Sequence, residues 1–138
     1  MQPYVHQVQY YETDKMQITH HSNYIRFMEE ARVSFMEQTG FGYKAMEDGG
    51  VVSPVISISC EYRKSTTFGD NIIIDIKVLK LNGVKLELGY TMTCDGQVVC
   101  NATSGHCFLD SEGKLVNIKK TLPEFYAALE ALMKESEM

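Results

Sequence analysis

Two turn signals, Asn82-Gly83 and Asp95-Gly96, constrain this chain more than any other feature. Each lies between runs rich in Val, Ile, Leu and Thr, and a two-residue hairpin needs central residues that accept positive φ. Residues 72–81 (IIIDIKVLKL), 84–94 and 97–109 therefore read as three long strands joined by tight hairpins, an antiparallel meander. Residues 51–64 (VVSPVISISCEYRK) alternate in part and add a strand before it, with a turn at Phe68-Gly69-Asp70-Asn71. Residues 5–11, rich in Val, Tyr and Gln, predict the first strand.

Between the first two strands the period changes. Ser22 or Asn23 opens a helix that runs to about residue 39, with Tyr24, Phe27, Met28, Ala31, Phe35 and Met36 at spacings of three and four. Arg26, Glu29, Glu30, Arg32 and Glu37 occupy its other face, and Gly40 ends it. A short helical turn over 43–47 leads to Gly49-Gly50. Near the end, Thr121-Leu122-Pro123-Glu124 reads as a capping box, with Thr121 as N-cap, and Phe125, Leu129 and Leu132 form an apolar stripe. No repeat, low-complexity tract or linker interrupts the pattern. The expectation is one α+β domain over residues 1–138, its antiparallel sheet of about five strands wrapped around the long helix, with a further helix at the C-terminus.

The chain has 138 residues, 44% of them hydrophobic, enough for a sizeable core. A net charge of −5 argues against general nucleic-acid binding, though local lysines and arginines can still hold an anionic ligand. No signal peptide and no membrane span is read from the sequence. Cys60, Cys94, Cys100 and Cys107 form no C-x-x-C pair and sit in strand-like runs, so they read as buried free thiols of a cytoplasmic protein.

Chemistry points to the stretch ETDKMQITHHSNYIRF, residues 12–27. Asp14 lies in a polar loop, His20 and His21 follow, and the helix opens just after them. A helix N-terminus carries free N–H groups and a positive dipole end, which stabilise an anion, including one formed during a reaction. An acid beside such a site suits hydrolysis. By itself, Asp14 reads first as a loop or helix-capping acid, and only the His21-Ser22-Asn23-Tyr24 run downstream favours a chemical role. Adjacent histidines on a forming helix point in different directions, so a metal site built from His20 and His21 with Asp14 or His106 is disfavoured. The lysines read individually as solvated surface, and His106 as a packed strand histidine.

Taken together, these residues resemble a known family. The order strand, loop, helix, meander is similar to the hotdog fold. The run YYETDKMQITHHSNYIRFMEEAR resembles the signature of the 4-hydroxybenzoyl-CoA thioesterase-like acyl-CoA thioesterases, including the Tol–Pal-associated branch. In that signature an aspartate closes a Thr-Asp pair and His-x-Asn-Tyr stands at the helix start; here these are Asp14 and His21-Ser22-Asn23-Tyr24. Tyr62-Arg63-Lys64 with Phe68-Gly69-Asp70 resembles a second block, and Ala102 through His106 to Asp110, then Leu122-Pro123, an ending. Two departures stand out: relatives often have loop glycines where this chain has Met16 and Gln17, and a proline where it has Ser65.

The resemblance implies an acyl-CoA thioesterase that needs no metal or other cofactor. Asp14 would act as base or nucleophile, with the His21 backbone N–H as oxyanion donor and Tyr10 shaping the site. Tyr24 would contact substrate, and Arg63, Lys64, Lys85, Lys119 and Lys120 are the candidates for the coenzyme A phosphates. It further implies a homo-oligomer, dimer or homotetramer, with active sites at the dimer interface. The alternatives are an acyl-carrier-protein thioesterase, a dehydratase on the same fold, which the acid's place before the helix disfavours, and a non-catalytic acyl-thioester-binding protein. A serine hydrolase is disfavoured because no G-x-S-x-G occurs.

Overall fold

The computed structural model describes residues 1–136. Strand β1 (Tyr4–Gln7) is followed by a 3-10 turn (Tyr10–Glu12), then helices α1 (Asn23–Gln38) and α2 (Tyr43–Asp48). Four strands follow, β2 (Val55–Tyr62), β3 (Asn71–Leu81), β4 (Lys85–Cys94) and β5 (Gln97–Cys107), then a single-turn helix α3 (Ile118–Thr121) and α4 (Pro123–Ser136). The five strands form one sheet in the order β1-β3-β4-β5-β2, with β1 antiparallel to β3 and Tyr4 opposite Ile74. β2 therefore ends one edge. The expected α+β architecture and strand count hold.

The chain resolves into two compact units. The first comprises Met1–Phe35, Cys60–Ile76 and Tyr90–Ala102. Here α1 buries Phe27 and Met28 completely, and each such side chain stabilises the fold by about 2 kcal/mol. Two polar ties fix the helix: Arg32 Nη1 donates to the Tyr90 hydroxyl at 3.1 Å, and the Cys60 thiol donates to Met28 Sδ at 3.7 Å. The second unit comprises Met36–Ser59, Lys77–Gly89 and the chain from Thr103. Phe125 is buried there between Phe41 and Phe108, with ring centroids 5.4 and 6.2 Å away.

Three local expectations need correcting. The first strand stops at Gln7, and residues 10–12 coil into the 3-10 turn. The buried Glu12 carboxylate turns inward to accept from the Gln9 N–H at 2.7 Å and to meet His6 Nε2 at 2.8 Å, and His6 is in turn held by the distant Glu30 of α1. At 82–84 only Gly83 has positive φ (87°), because the Asn82 carboxamide oxygen accepts from the Val84 and Lys85 N–H groups and makes a three-residue loop. Asp95 (φ 51°) and Gly96 (φ 77°) do form the two-residue turn expected. Finally, Thr121 is not an N-cap. Asn117 caps α3 by accepting from the Lys119 N–H at 2.9 Å, and Thr121 ends that helix. Pro123 restricts Leu122 to a non-helical conformation (φ −135°, ψ 64°), so the break falls one residue later than the capping box implies. No helix among the described residues is long and apolar enough to cross a membrane.

Candidate active site

The Asp14 loop is a three-residue hairpin. The Asp14 N–H donates to the Ile18 carbonyl at 2.9 Å, the Gln17 N–H donates back to the Asp14 carbonyl at 2.9 Å, and Thr13 pairs with Thr19 at its base. The Met16 N–H donates to Asp14 Oδ1 at 2.8 Å. This leaves Oδ2 of a half-exposed carboxylate without a partner among the described residues.

Glu12 closes the loop onto the helix start. Its carbonyl accepts from the His20 N–H at 2.8 Å and from Asn23 Nδ2 at 2.9 Å. Its carboxylate lies 2.8 Å from His6 Nε2, while His6 Nδ1 lies 2.9 Å from Glu30 Oε1 and the ring stacks on Phe27 at 4.0 Å. Tyr4 donates to the same Glu30 oxygen at 2.7 Å, and this bond, with burial, pushes the phenol up to about 12. Strand, turn and helix are thus joined through buried polar groups two residues before Asp14.

At the helix entrance most N–H groups are engaged. Ser22 donates to His20 Nδ1 at 3.2 Å, Asn23 to the His20 carbonyl at 3.0 Å and Tyr24 to the His21 carbonyl at 3.1 Å. The His21 N–H has no acceptor among the described residues. The Tyr62 hydroxyl donates to the His21 carbonyl at 3.3 Å, and its ring meets His21 and Tyr24 edge-on at 6.0 and 5.3 Å. Burial pushes the Tyr24 phenol up; burial, followed by the Cys60 thiol, pushes Tyr62 up to about 12. Both phenols therefore remain neutral at ordinary pH.

These residues surround one cavity of about 450 Å³, lined by Asp14, Thr19, His21, Tyr24, Tyr62, Arg63 and Lys64 among others. Five of the residues singled out in the sequence (Asp14, His21, Tyr24, Arg63 and Lys64) are thus brought together. The other candidates are not part of this lining. Tyr10 is 76% exposed and packs edge-on against Phe68 at 5.7 Å. Lys85 lines a different cavity, with Lys80, Ser57 and His106. Lys119 and Lys120 stand on α3, where the Lys119 ammonium sits 5.6 Å from the Tyr126 ring centroid. His106 is a packed strand residue, buried, sharing a 2.7 Å hydrogen bond with Ser104. All four cysteines are free, and burial pushes the Cys100 thiol up to about 12, so it is no thiolate nucleophile. No group of residues suited to holding a metal ion occurs among the described residues.

Sequence reasoning missed Tyr62, Thr19 and Thr66. The signals for Tyr62 were its place in the Tyr62-Arg63-Lys64 block and its parity with Cys60 in β2, which puts both on the helix side of the sheet.

A family model of the thioesterase-like superfamily matches residues 8–129. The chain belongs to the thioesterase-like superfamily. The match runs from just before the 3-10 turn into α4 and includes every residue lining the Asp14 cavity. This thioesterase chain is 35% identical to a putative acyl-CoA thioesterase, YneP, of Bacillus subtilis, over 93% of its own length and 94% of the relative's. Among solved structures, a hypothetical protein from Aquifex aeolicus superposes with a TM-score of 0.84 at 34% identity, over 90% of this chain and 98% of that one. A DHNA-CoA thioesterase from Staphylococcus aureus superposes with a TM-score of 0.89 at 25% identity, over 99% and 95%. The hotdog fold expected from the strand order is the fold of this thioesterase.

Proposed function

We propose that this single hotdog thioesterase domain hydrolyses an acyl-CoA to a free acid and coenzyme A, with Asp14 as the catalytic carboxylate and the His21 N–H as oxyanion donor. The observation that carries the reading is that two residues lining one cavity each keep an unengaged group among the described residues: Asp14 its Oδ2, and His21 its backbone N–H before α1. A carboxylate can attack the thioester carbon directly or take a proton from water as that water attacks. In either case negative charge collects on the carbonyl oxygen, where a preoriented N–H and the helix dipole stabilise it. The thiolate of coenzyme A then leaves.

Tyr62 supports the donor by holding the His21 carbonyl, which fixes the peptide that follows the N–H. Arg63 and Lys64 supply positive charge at the cavity mouth for the phosphates. Arg63 Nη2 pairs with Glu61 Oε2 at 2.6 Å and Lys64 Nζ donates to Gln97 Oε1, so each is oriented before any ligand arrives.

The working form is a homodimer joined through β2. That strand ends the sheet, and Cys60 turns towards Met28 of α1. Ile56, Ile58 and Tyr62 share the face of Cys60, yet they are 53%, 37% and 46% exposed. A second copy pairing edge to edge would cover them, and Tyr62 would then carry the interface to the cavity wall.

Release of free thiol from acetyl-, hexanoyl-, palmitoyl- and benzoyl-CoA tests the reading, with wild type and Asp14→Asn compared side by side. Turnover should fall by a factor of about 1,000 in the variant, in line with the loss of a general base or nucleophile. Wild-type activity that survives in Asp14→Asn removes Asp14 from the chemistry.

A further inference from the structure

The sharpest irregularity of the site is Gln17, whose φ of 67° lies in the left-handed region. It occupies the last position of the loop 15–17, after the turn closed by the Gln17 N–H on the Asp14 carbonyl and before the Asp14 N–H bond to Ile18. Three-residue hairpin loops end on such a left-handed residue, and glycine suits it because it has no Cβ. A glutamine there is strained, so something must hold it.

The holding groups come from residues 66–67. The Thr67 hydroxyl donates to the Gln17 carbonyl at 2.7 Å. Thr67 is itself fixed, its N–H donating to Asp70 Oδ2 at 2.9 Å, while the Asp70 carbonyl accepts from the N–H of the buried Val8. Next to it, Thr66 is 3% exposed and grips the other end of the loop. Its carbonyl accepts from the Thr19 N–H at 2.8 Å, and its hydroxyl shares hydrogen bonds with the Thr19 hydroxyl at 2.6 Å and the Tyr24 hydroxyl at 2.9 Å. Thr19 and Tyr24 line the Asp14 cavity.

We infer that Thr66 and Thr67 are positioning residues: they clamp the Asp14 loop with Gln17 in its left-handed conformation and thereby aim the Asp14 carboxylate. The inference rests on the reading of Asp14 as the catalytic acid. The path is short. A released Gln17 takes with it its bond to the Asp14 carbonyl, and the turn that lets the Met16 N–H reach Asp14 Oδ1 opens. The carboxylate then wanders from the oxyanion site. Arg63 and Lys64, proposed above to hold the phosphates, bond Glu61 and Gln97 outside this network and stay in place, so the effect falls on kcat more than on KM.

The test is a cycle of Thr67→Val, Gln17→Gly and the double variant, with Thr67→Ser as the conservative control. Each is assayed on whichever of acetyl-, hexanoyl-, palmitoyl- or benzoyl-CoA the wild type turns over fastest. Thr67→Val should lower kcat about tenfold or more with KM changed less than about threefold, since small misplacements of a catalytic group cost this much. Thr67→Ser keeps the hydroxyl and should stay near wild type. Glycine needs no clamp, so the double variant should recover to within about threefold of Gln17→Gly, a non-additivity that a merely structural threonine would not produce. Backbone hydrogen exchange at Asp14, Met16 and Gln17 supplies a readout free of activity: it should quicken about tenfold in Thr67→Val and return in the double variant.

A Thr67→Val enzyme with kcat close to wild type, or a loss that Gln17→Gly does not recover, overturns the clamp. Should Asp14→Asn prove active, or wild type cleave none of the thioesters, the reading of Asp14 fails and the exchange rates decide alone. Quickened exchange cured by Gln17→Gly keeps the clamp as a loop fastener, and unchanged exchange ends it.

Discussion

At the scale of single residues, burial decides which groups are chemically silent. Asp14 lines the cavity and keeps one carboxylate oxygen without a partner among the described residues, whereas Cys100, fully buried, holds its thiol proton up to about 12 against an ordinary 9.0. Tyr62 behaves likewise, rising from 10.0 to about 12 through burial first and the Cys60 thiol second. Raised values in the folded state mean that the unfolded chain gives up these protons first. Stability from these groups is therefore complete below the unfolded value and drains away as the pH climbs through the folded one. Urea midpoints should be level up to about pH 9 and then fall toward about pH 12. Cys100→Ala should delay the onset of that fall. A midpoint that is flat across the alkaline range, or a variant that falls in step with wild type, contradicts this account. Iodoacetamide at mildly alkaline pH should correspondingly leave native Cys100 unmodified.

At the scale of elements, what was legible followed from local chemistry. The amphipathic period of α1 and the Asp95-Gly96 turn needed only neighbouring residues, and both stand where the sequence puts them. Gly96 at φ 77° marks a position where a Cβ is penalised although nothing crowds it within 4 Å. Gly96→Ala should thus lower stability by about 1 kcal/mol without touching the site, measured by equilibrium denaturation alongside thiol release. A loss of activity at unchanged stability would contradict a purely conformational role. What was illegible depended on distant partners. The 3-10 turn at residues 10–12 arises because Glu12 answers His6, a residue itself bound to Glu30 of α1. Thr121 ends α3 instead of capping α4, because Asn117 starts that extra turn and the Gly83 carbonyl holds the Ile118 N–H. The candidate site divides in the same way. Asp14 and the helix start are adjacent in sequence and announce themselves. Tyr62 lines the cavity and Thr66 bonds the Tyr24 hydroxyl, both from segments more than forty residues on, and their place in the site depends on those distant contacts.

At the scale of the molecule, the uncovered β2 strand is the feature that most limits what one chain does alone. Four of its side chains, Val55, Ile56, Ile58 and Tyr62, are large, apolar and exposed, and its outer edge has no neighbour in the sheet among the described residues. Long apolar edges invite pairing, and a two-fold partner satisfies both copies at once. Ile58→Lys should therefore convert a dimer or larger assembly to monomer in sedimentation, and lower turnover while the far-ultraviolet spectrum is preserved. A variant that sediments as wild type does would place the interface elsewhere. A strand of this kind also makes quantity a variable of state. If the chain is folded best when paired, mass action enters every reading: the melting temperature climbs with concentration, and specific activity sags on dilution though no bond in the cavity has changed. Rates collected from a very dilute enzyme would then report the association equilibrium as much as the hydrolysis.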